Sequence, residues 1–153
     1  MKITKEFIKV VDFYFIDLSK EGVMDREEGM GKWGEFEFNG PYDGNDIIKI
    51  NDVVLPMSYV EFMRTHNGGE GDIGETWLVL YPLDELQDLN EDYEIEQFLP
   101  GHIIIGSNGG GELYGIDNKG NYFNVPMIMD EKDITFLGTD IELLPDRINE
   151  LWA

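Results

Sequence analysis

The sequence contains no cysteine, and this absence excludes disulfide bonds, thiolate metal sites and thiol nucleophiles together. No apolar run approaches the roughly 18 residues that a membrane-spanning helix needs. Near the N-terminus, Lys9, Asp12 and Asp17 interrupt the apolar residues, so we expect no secretory signal there. The sequence therefore predicts a soluble, cytoplasmic protein whose stability comes from packing.

Positive charge is also scarce. Eleven lysine and arginine residues stand against 32 aspartates and glutamates, which gives a formal net charge of -21. Such a field repels phosphates and anionic lipids, so we expect neither direct nucleic-acid binding nor membrane binding. It attracts cationic proteins and speeds their encounter. Solubility alone is the alternative explanation for the charge.

The length and composition fit one ordinary domain. A chain of 153 residues that is 42% hydrophobic can bury a core of that size. We find no internal repeat and no Ser/Pro linker. We divide the chain into an N-terminal extension, 1–45, expected to be a helix plus a loop packed on the same domain, and a domain over 46–153.

Apolar periodicity and turn signals predict the secondary structure. Helices are expected at 4–18, 56–66, 82–89 and 141–152. Strands are expected at 76–81, 103–106, 113–116, 122–129 and 134–137. The segment Ile47–Ile50 fits either a short helix capped by Asn45 or Asp46, or a strand. The order predicts an α+β fold with a mostly antiparallel sheet flanked by helices.

Three segments carry a family resemblance. The first runs from Leu55-Pro56 through Tyr59 and Phe62 to Asn67-Gly68-Gly69. The second runs from Trp77 through Leu83, Leu86 and Asn90 to Tyr93. The third consists of Ile103–Gly106, Asn108–Gly111, Tyr114 and Asp117. In this order they resemble the SUKH superfamily, which contains fungal cell-wall assembly regulators and bacterial immunity proteins against polymorphic toxins. The resemblance implies a SUKH-like single domain that uses one face or edge to hold a protein partner.

Motifs for catalysis or cofactor binding are not supported by their context. Gly69–Gly74 satisfies G-x-G-x-x-G, but it follows a predicted helix and precedes a strand, the reverse of a dinucleotide site. The two histidines, His66 and His102, form no metal-binding pair. We therefore expect no enzyme, no cofactor and no metal. Counting alone does not exclude a carboxylate pair of the kind that hydrolyses glycosides.

One long segment lacks bases. No lysine or arginine lies between Arg64 and Lys119, whereas acidic residues are frequent there. This segment predicts a partner-binding surface, although a solvated face has the same composition. The predicted partner-binding residues are Glu70, Asp72, Glu75, Trp77, Asp88, Asp92, Tyr93, Glu96, Glu112 and Tyr114. Trp77, Tyr81, Tyr93 and Tyr114 are the candidate aromatic anchors.

These observations lead to one leading hypothesis. The chain is expected to be a non-catalytic immunity protein that binds a basic polymorphic-toxin domain, with a nuclease as the example. The alternative is a regulatory or scaffolding module, as the fungal members of the family imply. The oligomeric state does not follow from the sequence.

Overall fold

The computed structural model describes residues 33–153. The chain divides into two units, Met1–Gly34 and Glu35–Ala153, and all elements below belong to the second. The helix predicted over 4–18 and most of the predicted extension lie outside the described residues.

Within residues 35–153, nine short strands and four α-helices form an α+β domain. The strands are β1 (Glu37–Phe38), β2 (Lys49–Ile50), β3 (Val53–Val54), β4 (Gly69–Asp72), β5 (Trp77–Leu80), β6 (His102–Ser107), β7 (Glu112–Asp117), β8 (Tyr122–Pro126) and β9 (Thr135–Phe136). The helices are α1 (Met57–Thr65), α2 (Leu86–Asp92), α3 (Ile95–Phe98) and α4 (Leu144–Leu151). Single 3-10 turns lie at Leu83–Glu85, Glu131–Asp133 and Ile141–Leu143.

Seven of these strands form one antiparallel sheet in the order β9-β8-β7-β6-β5-β4-β1, and β2 pairs with β3 in a separate hairpin. The predicted meander of three strands is confirmed as β6, β7 and β8. Its second turn is fixed by Asp117, whose carboxylate accepts the backbone N–H groups of Lys119 and Asn121, both at 2.9 Å. A short acidic side chain that binds its own turn favours this tight reversal.

The helices α2 and α3 pack on one side of the sheet, which we call the front face. The register places Ile104, Gly115 and Phe123 side by side there. Asn90 of α2 is fully buried; its amide donates to the carbonyl of Ile104 at 2.9 Å and accepts the Ile104 N–H at 2.7 Å. These bonds attach α2 to β6 beside the irregularity in register between Ile104 and Gly106.

The other side, the back face, is covered by α1 and the C-terminal residues. The rings of Tyr59 in α1 and Tyr122 in β8 meet edge to face, with centroids 6.5 Å apart. The indole of Trp152 donates a hydrogen bond of 3.0 Å to the hydroxyl of Tyr114. Because helices cover both faces, β6 is apolar along its length and not alternating.

Two elements differ from the sequence-based prediction. Gly69–Asp72 carries no strand signal, because glycine and acidic residues are poor strand formers, yet it forms β4 by pairing with β5 and β1. Ile95–Phe98, for which the sequence predicts no element, forms the short helix α3. For the ambiguous segment Ile47–Ile50, the strand alternative is confirmed over Lys49–Ile50.

The predicted helix at 56–66 is confirmed as α1, with Pro56 and His66 flanking it. Gly68 follows at φ 81°, a left-handed conformation that glycine adopts without steric cost. The predicted closing helix is also confirmed, but it starts as a 3-10 turn, and Pro145 lies in the first turn of α4, where it disrupts nothing.

Candidate protein-binding surface

The front face is covered by α2 and α3 only in part. Val79 pairs with Ser107 and Ser107 with Leu113, so Val79 lies on the same face as the core residue Leu113. Within residues 35–153, no helix covers β5, β4 or β1 on this side. Side chains alternate between the two faces of a strand, so this region presents every second residue of the three strands.

We call this region the open face; it consists of Glu37, Glu70, Asp72, Trp77 and Val79. Register places Glu37 opposite Glu70, Glu70 opposite Val79, and Asp72 opposite Trp77. The three carboxylates are exposed. Trp77 is 44% exposed, which is a large apolar area to leave in water.

A tyrosine pair borders the open face on the side of α2 and α3. Tyr81 continues the alternation of Trp77 and Val79, and its hydroxyl lies 3.3 Å from that of Tyr93. Burial, the hydrogen bond with Tyr81 and the charge of Tyr81 raise the pKa of Tyr93 to about 12. The Tyr93 hydroxyl is therefore protonated at neutral pH and available as a neutral hydrogen-bonding group.

A groove of about 410 Å³ runs between this border and β1. The residues that line it include Glu37, Glu70, Val79, Tyr81 and Glu85. A concave surface with three carboxylates beside an aromatic ring favours a ligand that is cationic and partly apolar.

In the described part of the chain, the two bases that flank the base-free segment form no ion pair with this surface. The guanidinium of Arg64 binds the carboxylate of Asp46. Lys119 is exposed and lies in the turn between β7 and β8. The base-free segment between them contributes β4, the β4–β5 turn, α2 and α3, and most of its carboxylates are exposed.

The structure brings together only some of the predicted partner-binding residues. Glu70, Asp72 and Trp77 share the open face, and Tyr93 lies at its border. Glu75 is exposed in the turn that connects β4 to β5.

The other predicted residues lie elsewhere. Leu86 and Asn90 are buried against the sheet, so Asp88 and Asp92 point outward from α2, and Glu96 is exposed on α3. These three carboxylates add to the field around the surface without lining it.

Glu112 and Tyr114 lie on the back face. Tyr114 is 1% exposed, and burial, together with the charge of Glu112, raises its pKa against the opposing effect of the hydrogen bond from Trp152. Glu112 accepts a hydrogen bond of 3.0 Å from the amide of Asn124. We therefore leave both residues out of the surface.

Sequence reasoning missed Glu37, Val79 and Glu85 as surface residues. The alternation of Phe36, Glu37 and Phe38 indicates a strand whose glutamate faces away from the core. Because the sequence does not predict β4, however, it offers no partner strand that would align Glu37 with Glu70.

Two further features concern residues 33–153, namely clusters of metal ligands and membrane-spanning helices. In residues 33–153, no three His, Asp or Glu side chains converge as metal ligands would. No helix in this same range combines the length and apolar character needed to cross a bilayer. The G-x-G-x-x-G match lies on β4 and the following turn, after α1, so it lacks the strand-turn-helix context of a dinucleotide site.

Comparison with known families assigns the fold. The profile of the SMI1 / KNR4 family (SUKH-1) matches residues 45–142. The chain belongs to the SMI1/KNR4 family. The match extends from just before β2 into the last 3-10 turn, so the SMI1/KNR4 region contains β4, β5, α2 and α3 but not β1 or α4. No curated protein matches the chain.

Proposed function

We propose that this protein is a non-catalytic immunity protein that binds and neutralises a cationic polymorphic-toxin domain in the cytoplasm. The observation that carries the proposal is the open face, where Trp77 is half-exposed beside Glu70 and Asp72 in a segment without bases. Membership in the SUKH-1 family supports a protein-binding role. A nuclease is the toxin class that fits best, because its cleft must be basic to bind phosphates.

The mechanism has an electrostatic step and a contact step. The net charge of -21 steers a basic partner toward the acidic surface, and steered association reaches roughly 10⁸–10⁹ M⁻¹s⁻¹ at low salt. Trp77 then loses its remaining contact with water against the partner. Large aromatic anchors of this kind dominate binding energy in many interfaces and set the dissociation rate.

The proposal is tested by coexpressing the chain with the C-terminal toxin domain encoded by an adjacent gene. We expect copurification, protection from toxicity, and weaker binding at high salt. Glu70→Lys with Asp72→Lys should reduce the association rate and protection. Glu131→Lys with Asp133→Lys makes the same charge change at the opposite end of the sheet and serves as the control.

Two further variants separate the contributions. Trp77→Ala should mainly speed dissociation, because it removes a contact and no charge. Lysine at Asp88, Asp92 and Glu96 together should slow association only, since these residues act through the field. Absence of both binding and protection would refute the immunity function.

The second candidate function is a regulatory or scaffolding module that binds an endogenous protein. The same family match supports it equally, because the match covers residues 45–142 and does not specify the partner. Recovery of endogenous signalling or envelope-assembly proteins, with loss on Glu70→Lys and Asp72→Lys, would favour this second function over the first.

A further inference from the structure

We propose that the open face receives an amphipathic, basic α-helix of the partner, and that this helix extends the layer formed by α2 and α3. The inference rests on the proposed function, since it specifies which structural element of the partner occupies the same surface. Four features of the structure support it.

The first feature is an incomplete layer. Ile95 and Leu99, from α3 and its end, belong to the core cluster on the front face, and Tyr81 and Tyr93 pack at its margin. Beyond these tyrosines the sheet continues through β5, β4 and β1. The apolar surface of a sheet is normally buried against another layer, and over the apolar residues of β5 no helix of residues 35–153 supplies that layer.

The second feature is size. Neighbouring strands lie about 4.8 Å apart, so β5, β4 and β1 together are roughly 10 Å wide between the outer axes. One α-helix with its side chains has a diameter of about 10–12 Å. The open face therefore has room for one helix.

The third feature is the arrangement of apolar and acidic residues in parallel rows. Trp77, Val79 and Tyr81 form an apolar row along β5, about 13 Å long at 3.3 Å per residue. Asp72 and Glu70 on β4 and Glu37 on β1 lie on the outer side of this row. A helix with an apolar stripe and lysines or arginines spaced three and four residues apart would match both rows.

The fourth feature is a repulsive pair of carboxylates with which no lysine or arginine of residues 33–153 forms an ion pair. Glu37 and Glu70 are directly opposite each other on the same face, an arrangement that is unfavourable in a sheet. A lysine or arginine inserted between them would relieve the repulsion.

Other occupants fit less well. A strand added to the sheet edge would pair with β1, which has only two residues, and would leave Trp77 uncovered. A second copy of this chain would carry the same charge of -21 and be repelled. Nucleic acid would place phosphates against the carboxylates.

The test uses two synthetic peptides of about 14 residues, or four helical turns. Both contain only leucine and lysine in equal proportion. One places leucines at helical spacing, and the other alternates the two residues as in a strand. The full-length ¹⁵N-labelled protein is titrated with each, and shifts of backbone amides give both the affinity and the location.

We expect the helical peptide to bind about tenfold more tightly than its alternating twin, equivalent to about 1.4 kcal/mol, and to shift Glu70, Trp77 and Val79. Glu37→Gln with Glu70→Gln should weaken it, whereas Glu131→Gln with Asp133→Asn should not. Equal affinity of the two peptides, no binding of either, or shifts confined to other surfaces would overturn the helical occupant.

The two failures are distinguishable. A toxin domain that still binds the wild type and is weakened by Glu70→Lys with Asp72→Lys retains the proposed function even if the helical peptide fails. A toxin domain whose binding is insensitive to those substitutions rejects the open face for any occupant.

Discussion

Glu37 and Glu70 illustrate how a residue pair can oppose folding. They lie opposite each other on β1 and β4, and both are exposed. Like charges directly opposite each other destabilise a sheet, and a single cross-strand pair changes the free energy of unfolding by roughly 0.2–1 kcal/mol. The pair is therefore expected to lower stability unless a cation binds between the two carboxylates.

Glu70→Gln should therefore raise the free energy of unfolding by about 0.2–1 kcal/mol at low salt, because the repulsion is removed. Urea denaturation at about 0.01 M and 1 M salt measures this, since the Debye length falls from about 30 to 3 Å between them and the gain should disappear. Glu131→Gln is the matched control. A gain that persists at high salt would mean that the effect is not electrostatic.

Asn90 has the opposite role, because its buried amide stabilises the fold. Asn90→Ala leaves the N–H and carbonyl of Ile104 without their partner inside the protein, and each unsatisfied buried group costs about 1–3 kcal/mol. We expect a loss of about 2–4 kcal/mol, measured by chemical denaturation. Gln97→Ala, on an exposed position of α3, should change stability little. If Asn90→Ala loses no more stability than Gln97→Ala, water must replace the hydrogen bonds of the Asn90 amide.

Gly115 is required for close packing on the front face. A Cβ at this position would overlap the carbonyl oxygen of Ile103 and the ring of Phe123. Gly115→Ala should lower the free energy of unfolding by about 3 kcal/mol, the upper end of the range for overpacking. At Gly110 the added Cβ would meet only the Asn108 side chain, at 3.6 Å, so Gly110→Ala should be nearly neutral. Equal effects of the two substitutions in a thermal melt would contradict this account.

At the scale of elements, two tyrosines pack α1 against β8 and make stability depend on pH. Tyr59 and Tyr122 are fully buried, and their hydroxyls have no hydrogen-bond partner among residues 33–153. Burial raises the pKa of both phenols, and neighbouring charge adds to the shift. The folded state therefore holds these protons more tightly than the unfolded state does, so stability is complete below pH 10 and falls as the pH rises beyond it.

Tyr122→Phe should consequently change stability little at pH 7, because the lost hydroxyl makes no bond, and should reduce the loss of stability between pH 7 and about pH 11. Urea midpoints at the two values test this. Phe123 is equally buried and has no ionisable group, so Phe123→Leu should lower the stability by a similar amount at both pH values. An unchanged pH dependence in Tyr122→Phe would assign the alkaline loss to other groups.

The elements also show what the sequence can predict. The helix α1 and the strands β6, β7 and β8 follow from apolar spacing and turn residues, because their local preferences agree with their tertiary environment. The strand β4 does not, because Gly69 and Gly71 adopt φ values of 147° and 152° that are selected by pairing on both sides and not by local preference.

The same limit applies to the candidate surface. Glu70, Asp72 and Trp77 are predicted from the sequence because charge and aromatic character are visible there, and the structure places them on one face. Tyr114 was wrongly included among the exposed residues, because its burial arises from contacts with Trp152, which is far away in the sequence. Glu37 was missed because it joins the surface only through pairing with β4.

For the whole molecule, the net charge of -21 should make stability and binding respond to salt in opposite ways. Salt screens the repulsion among carboxylates, so we expect the urea midpoint to rise between about 0.01 M and 0.5 M sodium chloride. Over the same range, binding of a basic partner should weaken. Binding that strengthens with salt would indicate a mainly apolar interface.

The strand β1 lies outside residues 45–142, which match the family, so Glu37 contributes its charge to the open face from outside the matched region. Phe38 holds the strand by stacking on His66, with ring centroids 4.4 Å apart, while Glu37 faces the opposite way. The hydrogen bonds that pair β1 with β4 come from main-chain groups, so the strand can form with other side chains at position 37. Residue 37 therefore sets the charge that this edge of the sheet presents to a partner, while the main chain and Phe38 keep the edge in place.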